Sequence, residues 1–125
     1  MKRTVSTDEA PAAVGAYSQA TTNDDILFTA GQLPMTPDGT LLDDGSVAEQ
    51  TEQALSNVAA VLDSEGLTMN DVLKVTVFLD DIDDFDEMNE TYSEFFVEDP
   101  PARSAIEVAA VPKGAALEIE AIATK

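Results

Sequence analysis

A chain of 125 residues with 25 acidic and 6 basic side chains, a formal charge of −19 and neither cysteine nor histidine is one domain long and can bury one core without staples. The two absent residue types exclude disulfides, thiolate chemistry, Cys or His metal ligands and the imidazole general base. Chemistry must come from carboxylates, hydroxyls, amides, Lys, Arg or the backbone. The cations Lys2, Arg3, Lys74, Arg103, Lys113 and Lys125 are scattered, so no phosphate-binding surface and no nucleic-acid partner is expected. No apolar run reaches the roughly 18–20 residues of a membrane span, and "MKRTVSTDEA" lacks a signal-peptide core. A cytoplasmic protein without a membrane partner is the expectation. The acid is spread along the chain, which reads as a solvated surface adapted to salt, where the Debye length falls to about 3 Å at 1 M. An acidic protein from an ordinary cell is the alternative.

Along the chain, Tyr17 in "VGAYSQAT" opens a predicted strand, either as core packing with a free hydroxyl tip or as a pocket donor. "ILFTAGQL", Ile26–Leu33, is β-leaning, and its Gly31 is either a turn glycine or a point of close backbone approach. "PMTPDGTL" carries turn chemistry. The next segment reads as a helix. Ser46 and Glu49 form a capping box, Val47, Ala54, Leu55, Val58, Val61 and Leu62 form one stripe, and Gly66 ends it. Val72–Leu79 is a strand. A second helix carries Phe85, Met88, Tyr92, Phe95 and Phe96 on one face. "RSAIEVAAV" is strand-like, "PKGA" is a turn, and "ALEIEAIAT" alternates strictly.

Strands, helix, strand, helix, strands fit an α+β domain over residues 1–125, with two helices on one face of a mixed sheet. In the last strand Leu117, Ile119, Ala121 and Ala123 point one way, and Glu118, Glu120 and Ile122 the other. The second set could serve a partner subunit or a ligand. Arg103 shares a side of its strand with Ala105 and Glu107. The short turn is expected to fold this strand back beside the one holding Glu118 and Glu120. A guanidinium would then meet carboxylates, as a structural ion pair or as a bidentate clamp for a substrate carboxylate. Asn89 borders the second helix's stripe, either satisfied by backbone or reaching a site. No Gly-rich phosphate loop and no metal-ligand cluster is present. The run Asp80, Asp81, Asp83, Asp84, Asp86 lacks EF-hand spacing and reads as a solvated helix start.

The segments "APAAVGAYSQA", "ILFTAGQLP", "QTEQALSNVAAVL", "VTVFLDDIDDFDEMNETYSEFF", "PARSAIEVAAVPKGA" and "EIEAIA" together resemble the RidA/YjgF family of reactive-intermediate deaminases over essentially the full length. The resemblance implies a chorismate-mutase-like fold and a homotrimer with clefts between subunits. The implied activity is hydrolysis of enamine and imine intermediates such as 2-aminoacrylate and 2-iminobutanoate to 2-oxo acids and ammonia, without cofactor or metal. The implied site is Tyr17, Gly31, Asn89, Arg103 and Glu118, with position 105 contributing through its backbone. Arg103 would clamp the substrate carboxylate, and Glu118 would serve as general base and then general acid. Two positions depart: many relatives have Ser where this chain has Ala30, and Cys where it has Ala105. A non-catalytic trimeric metabolite-binding or interaction module is the competing class. A ribonuclease reading, also attached to the family, is disfavoured by the acidic surface and the missing histidine.

Overall fold

A computed structural model describes residues 1–125. The strands are β1 (Arg3–Val5), β2 (Ala20–Thr22), β3 (Ile26–Thr29), β4 (Val72–Leu79), β5 (Ala102–Glu107) and β6 (Leu117–Thr124), and the helices α1 (Val47–Asp63) and α2 (Phe85–Phe95). The six strands form one mixed sheet in the order β1-β2-β3-β6-β4-β5. Only β4 and β5 run parallel, because α2 crosses between them. The other pairs are antiparallel.

Both helices cover one face of this sheet. Leu117, Ile119, Ala121 and Ala123 of β6 and Val75, Val77 and Leu79 of β4 are buried beneath them. Helix α1 supplies Leu55, Val58, Val61 and Leu62 to this core, and α2 supplies Met88 and Tyr92. The capping box forms as its spacing predicts: the Glu49 N–H donates to Ser46 Oγ, and the Ser46 N–H to Glu49 Oε1. At the other end Gly66, at φ 73°, donates to Asp63 O while Leu67 donates to Leu62 O. That double closure is a Schellman ending, and the left-handed φ suits glycine. The opposite face of the sheet has no helix. It presents Phe28, Thr76, Phe78, Ile106, Glu118, Glu120 and Ile122, half-buried or exposed.

Three expectations change. Tyr17 does not open a strand, since β2 begins at Ala20 and Tyr17 lies in irregular chain. The Ile26–Leu33 strand stops at Thr29. The largest correction concerns β5, which does not fold back beside β6. It lies on the far side of β4 as the sheet's edge. The burial explains the order. One whole face of β6 is sealed, which suits a central strand, whereas no residue of β5 is fully buried.

Candidate functional site

Arg103 and Glu118 lie on opposite faces of the sheet. Arg103 is level with Val75 and points to the helix side, while Glu118 is level with Phe78 on the open side. Two strand spacings, about 10 Å, and three residues, about another 10 Å, separate them in the plane of the sheet. The two groups cannot meet within one chain.

Around Arg103 the cage is neutral. Its Nη1 donates to Asn89 Oδ1 at 2.7 Å. The guanidinium carbon sits 4.6 Å from the centre of the Tyr92 ring and 5.3 Å from that of Phe85. Helical spacing explains this set, because Phe85, Asn89 and Tyr92 fall within two turns on one side of α2. No carboxylate pairs with Arg103, and the ion pairs of the chain involve only Arg3 and Lys125. The structural ion pair offered by the sequence is therefore not formed. A cleft of about 350 Å³ opens beside the guanidinium, lined also by Ser93, Phe96, Pro100 and Pro101. Ala105 lies on the same face as Arg103 and packs against the core. Burial pushes the Tyr92 phenol above its ordinary pKa, with the neighbouring guanidinium opposing.

Around Glu118 the arrangement depends on an irregularity in β3. Phe28 pairs with Ile122, yet four residues later Gln32 pairs with Ile119, only three residues back. The extra residue is a bulge. It reverses the side-chain alternation, so that Gln32 turns inward and Gly31 turns toward the open face. The Ala121 N–H is taken by Thr29 Oγ1 at 3.0 Å. Gly31 then abuts Glu118: a Cβ there would lie 2.7 Å from the Glu118 carboxyl carbon. Gly31 is thus a point of close approach, to a side chain of its own molecule. Tyr17, 55% exposed, lines with Gly31, Gln32 and Lys113 a cleft of about 400 Å³. Burial, and secondly the like charge of Glu120, push the Glu118 carboxyl above its ordinary range.

The sequence-predicted residues therefore form two groups. Arg103, Asn89 and Ala105 lie on the helix side at the β5 edge, and Glu118 and Gly31 meet on the open side; Tyr17 shares its cleft with Gly31, while Glu118 lines another with Glu120, Phe78 and Val111. Sequence reading missed Tyr92 and Phe85 as neighbours of the guanidinium, although their three- and four-residue spacing from Asn89 was available. It took them as core alone. No three acidic side chains are arranged to hold a metal ion, and no helix is long and apolar enough to cross a membrane.

The family model described as Endoribonuclease L-PSP matches residues 7–125. The chain belongs to that family, the YjgF/RidA family. It is 47% identical to a RutC family protein of Pyrococcus horikoshii, covering 100% of this chain and 99% of that one. It is 46% identical to a 2-iminobutanoate/2-iminopropanoate deaminase of Rattus norvegicus, covering 100% of this chain and 91% of the relative. Among solved structures, E. coli TdcF with bound serine superposes with a TM-score of 0.93 at 38% identity, covering 98% of each chain. The fold expected from the order of elements, two helices on one face of a mixed sheet, is the fold observed.

Proposed function

We propose that this protein is a cytoplasmic deaminase that hydrolyses small 2-imino acids, such as 2-iminobutanoate, and the enamines that tautomerise to them, giving 2-oxo acids and ammonia. The observation that carries the reading is an arginine fixed in place but not neutralised, in a chain with 25 carboxylates to choose from. Such a guanidinium suits an incoming anionic group, and its planar fork matches a carboxylate. Relatives of similar length at about 45% identity carry the deaminase name.

The site would be completed by assembly. A self-complementary twofold contact needs both halves of a site on one patch, but here they face opposite sides of the sheet. A head-to-tail contact joins unlike patches and closes into a ring. The homotrimer implied by the family resemblance is such a ring. Each boundary would set Arg103 and Asn89 of one subunit against Glu118, Gly31 and Tyr17 of the next. The apolar residues of the open face, Phe28, Phe78, Ile106 and Ile122, would be covered in the process.

In that cleft Arg103 would hold the substrate carboxylate by two charge-assisted hydrogen bonds. Glu118 would take a proton from water as its oxygen adds to the carbon of the protonated imine, return that proton to the carbinolamine nitrogen, and take the hydroxyl proton as the C–N bond breaks to give the 2-oxo acid and ammonia. Tyr17, Asn89 and the backbone at Gly31 and Ala105 would orient the substrate. Much of the rate gain is positioning, because imines already hydrolyse in water.

The test is ammonia release from 2-iminobutanoate generated in place by a dehydratase, with wild type and Arg103→Ala. Loss of two charge-assisted contacts should lower kcat/KM by roughly 10²–10⁴. Arg103→Lys should rescue little. Full activity in both variants would remove the carboxylate clamp. Saturable binding of small carboxylates without ammonia release would favour a metabolite-binding module, a reading to which the bound serine of TdcF lends some support. A monomeric mass by light scattering in both low and molar salt would sink the trimer. RNA cleavage is not expected from a surface of charge −19.

A further inference from the structure

Arg103 is the one cation of the chain stacked on aromatic rings. Arg103 is half-buried, and a guanidinium drawn out of water is usually paired with a carboxylate, which fixes it and cancels its charge together. Here the two jobs are separated. The rings of Tyr92 and Phe85 and the amide of Asn89 restrict the fork without supplying a counter-ion. A second observation concerns the Tyr92 hydroxyl, which is buried and near enough to the guanidinium to feel its charge, yet has no partner in hydrogen-bond geometry, Arg103 included. Had Tyr92 been placed to anchor Arg103 through its oxygen, that oxygen would be engaged. The contact the structure does show is with the ring face. Phe96 packs against Tyr92, the rings tilted by 35° and their centroids 4.7 Å apart, so the Tyr92 ring is itself held in place.

We infer that Tyr92 is a positioning residue that acts through its ring: with Phe85 and Asn89 it aims a charged, un-neutralised Arg103 fork at the cleft where an anionic substrate group binds. The inference rests on the carboxylate-clamp reading above and extends it to a residue outside the set the resemblance implies. The hydroxyl is dispensable in this account. A neutral cage keeps the charge available to the ligand, whereas a carboxylate at the same place would compete with it.

The chain has only two arginines, Arg3 and Arg103, so the Nε–Hε region of a ¹⁵N NMR spectrum should hold two side-chain signals, assigned with Arg103→Lys. In wild type the Arg103 signal should be shifted upfield by the ring faces and should move on titration with 2-oxobutanoate. Tyr92→Leu should remove the larger part of the upfield shift, weaken 2-oxobutanoate about tenfold and lower kcat/KM by roughly 10–10², with the increase in KM larger than the fall in kcat. Tyr92→Phe should rescue most of each loss, because the ring remains. In an Arg103→Ala background Tyr92→Leu should cost little more, since a residue acting through Arg103 has nothing left to position.

Equal losses in Tyr92→Phe and Tyr92→Leu would overturn the proposal, because the hydroxyl would then be the working part. So would effects that simply add in the double variant, which mark a general packing defect. If Tyr92→Leu is too unstable to study, Phe85→Leu tests the same cage from its more exposed ring, with the same expected signs at smaller size. An unshifted Arg103 signal in wild type would also end it. These outcomes are separate from the fate of the deaminase reading. Absence of ammonia from wild type alongside a shifted, 2-oxobutanoate-responsive Arg103 would reject turnover and keep the cage.

Discussion

Glu118 and Gly31 act as a unit, and their contact yields two predictions. Glu118 is raised first by burial and second by Glu120 on the same strand face. A general base must be ionised, so the acidic limb of kcat/KM should lie above the ordinary glutamate range. Glu120→Gln removes the like charge and should move that limb to lower pH, while burial keeps it above the ordinary value. A limb that stays put or rises in Glu120→Gln would break the link between the two carboxylates. Glu118→Gln should lower kcat while leaving 2-oxo acid binding largely intact. If instead Glu120→Gln abolishes turnover and Glu118→Gln retains it, the wrong carboxylate has been assigned. Gly31 has no left-handed φ to demand glycine; it is needed for space. Gly31→Ala places a methyl 2.7–2.9 Å from three Glu118 side-chain atoms, and the flexible carboxylate, not the backbone, should give way. The expected result is a loss of kcat/KM of tenfold or more with little change in unfolding midpoint, measured on the same preparation by ammonia release and thermal melt.

At the scale of elements, what the sequence reveals depends on whether the pattern is local. Both helices and β6 are legible because periodicity and capping are written into adjacent residues: Ser46 with Glu49, Gly66 at its turn, and the alternation from Leu117 to Thr124. The neighbour of β5 is not legible, since it depends on where distant strands insert. Adjacency in sequence misplaced it beside β6, and with it the distance from Arg103 to Glu118. The strands β1 and β2, three residues each, are too short for any period. The bulge after β3 is likewise a matter of register between Phe28–Gln32 and Ile119–Ile122. Asn57 supports the segment that follows it. Buried in α1, its Nδ2 donates to Leu33 O at 3.1 Å and Met35 O at 2.8 Å. Asn57→Ala strands the Met35 carbonyl beside a small void, while Leu33 O keeps its bond from the Met35 N–H, and should cost about 1–3 kcal/mol in denaturant unfolding. It should also lower activity, because the Gly31 loop loses its anchor. Loss of stability with fully retained kcat/KM would show that the loop holds its shape without this residue.

For the whole molecule, the central fact is that only two of 25 carboxylates are ion-paired. Asp24 and Glu65 gather Arg3 and Lys125, tying both chain ends to the end of α1. Hydrogen bonds from Arg3 and Lys125 hold the Glu65 carboxyl down to about 2. Its contribution is therefore present above the ordinary carboxylate range and is lost as pH falls toward 2. Salt weakens this cluster but also screens the repulsion among all the other acids, and the two effects have opposite signs. At the start of α2 the repulsion is visible in one residue. Asp84 is raised by burial and then by Asp81, Glu87, Asp80 and Asp83, although a helix N-terminus ordinarily favours a carboxylate. Its charged form costs stability as pH rises through that raised value. With 23 unpaired acids against one small surface cluster, screening should dominate. We predict that the melting temperature, at fixed protomer concentration, rises steadily from about 0.1 M to about 2 M KCl, where the Debye length drops from about 10 Å to below 3 Å. Chloride is chosen because sulfate would stabilise by exclusion whatever the surface charge. Asp84→Asn should raise the low-salt melting temperature and shrink the gain between low and molar salt. Glu65→Gln should lower the melting temperature most at low salt, near neutral pH. A flat or falling wild-type curve, or an Asp84→Asn variant whose salt gain equals that of wild type, would show that the acidic surface is not what salt acts on.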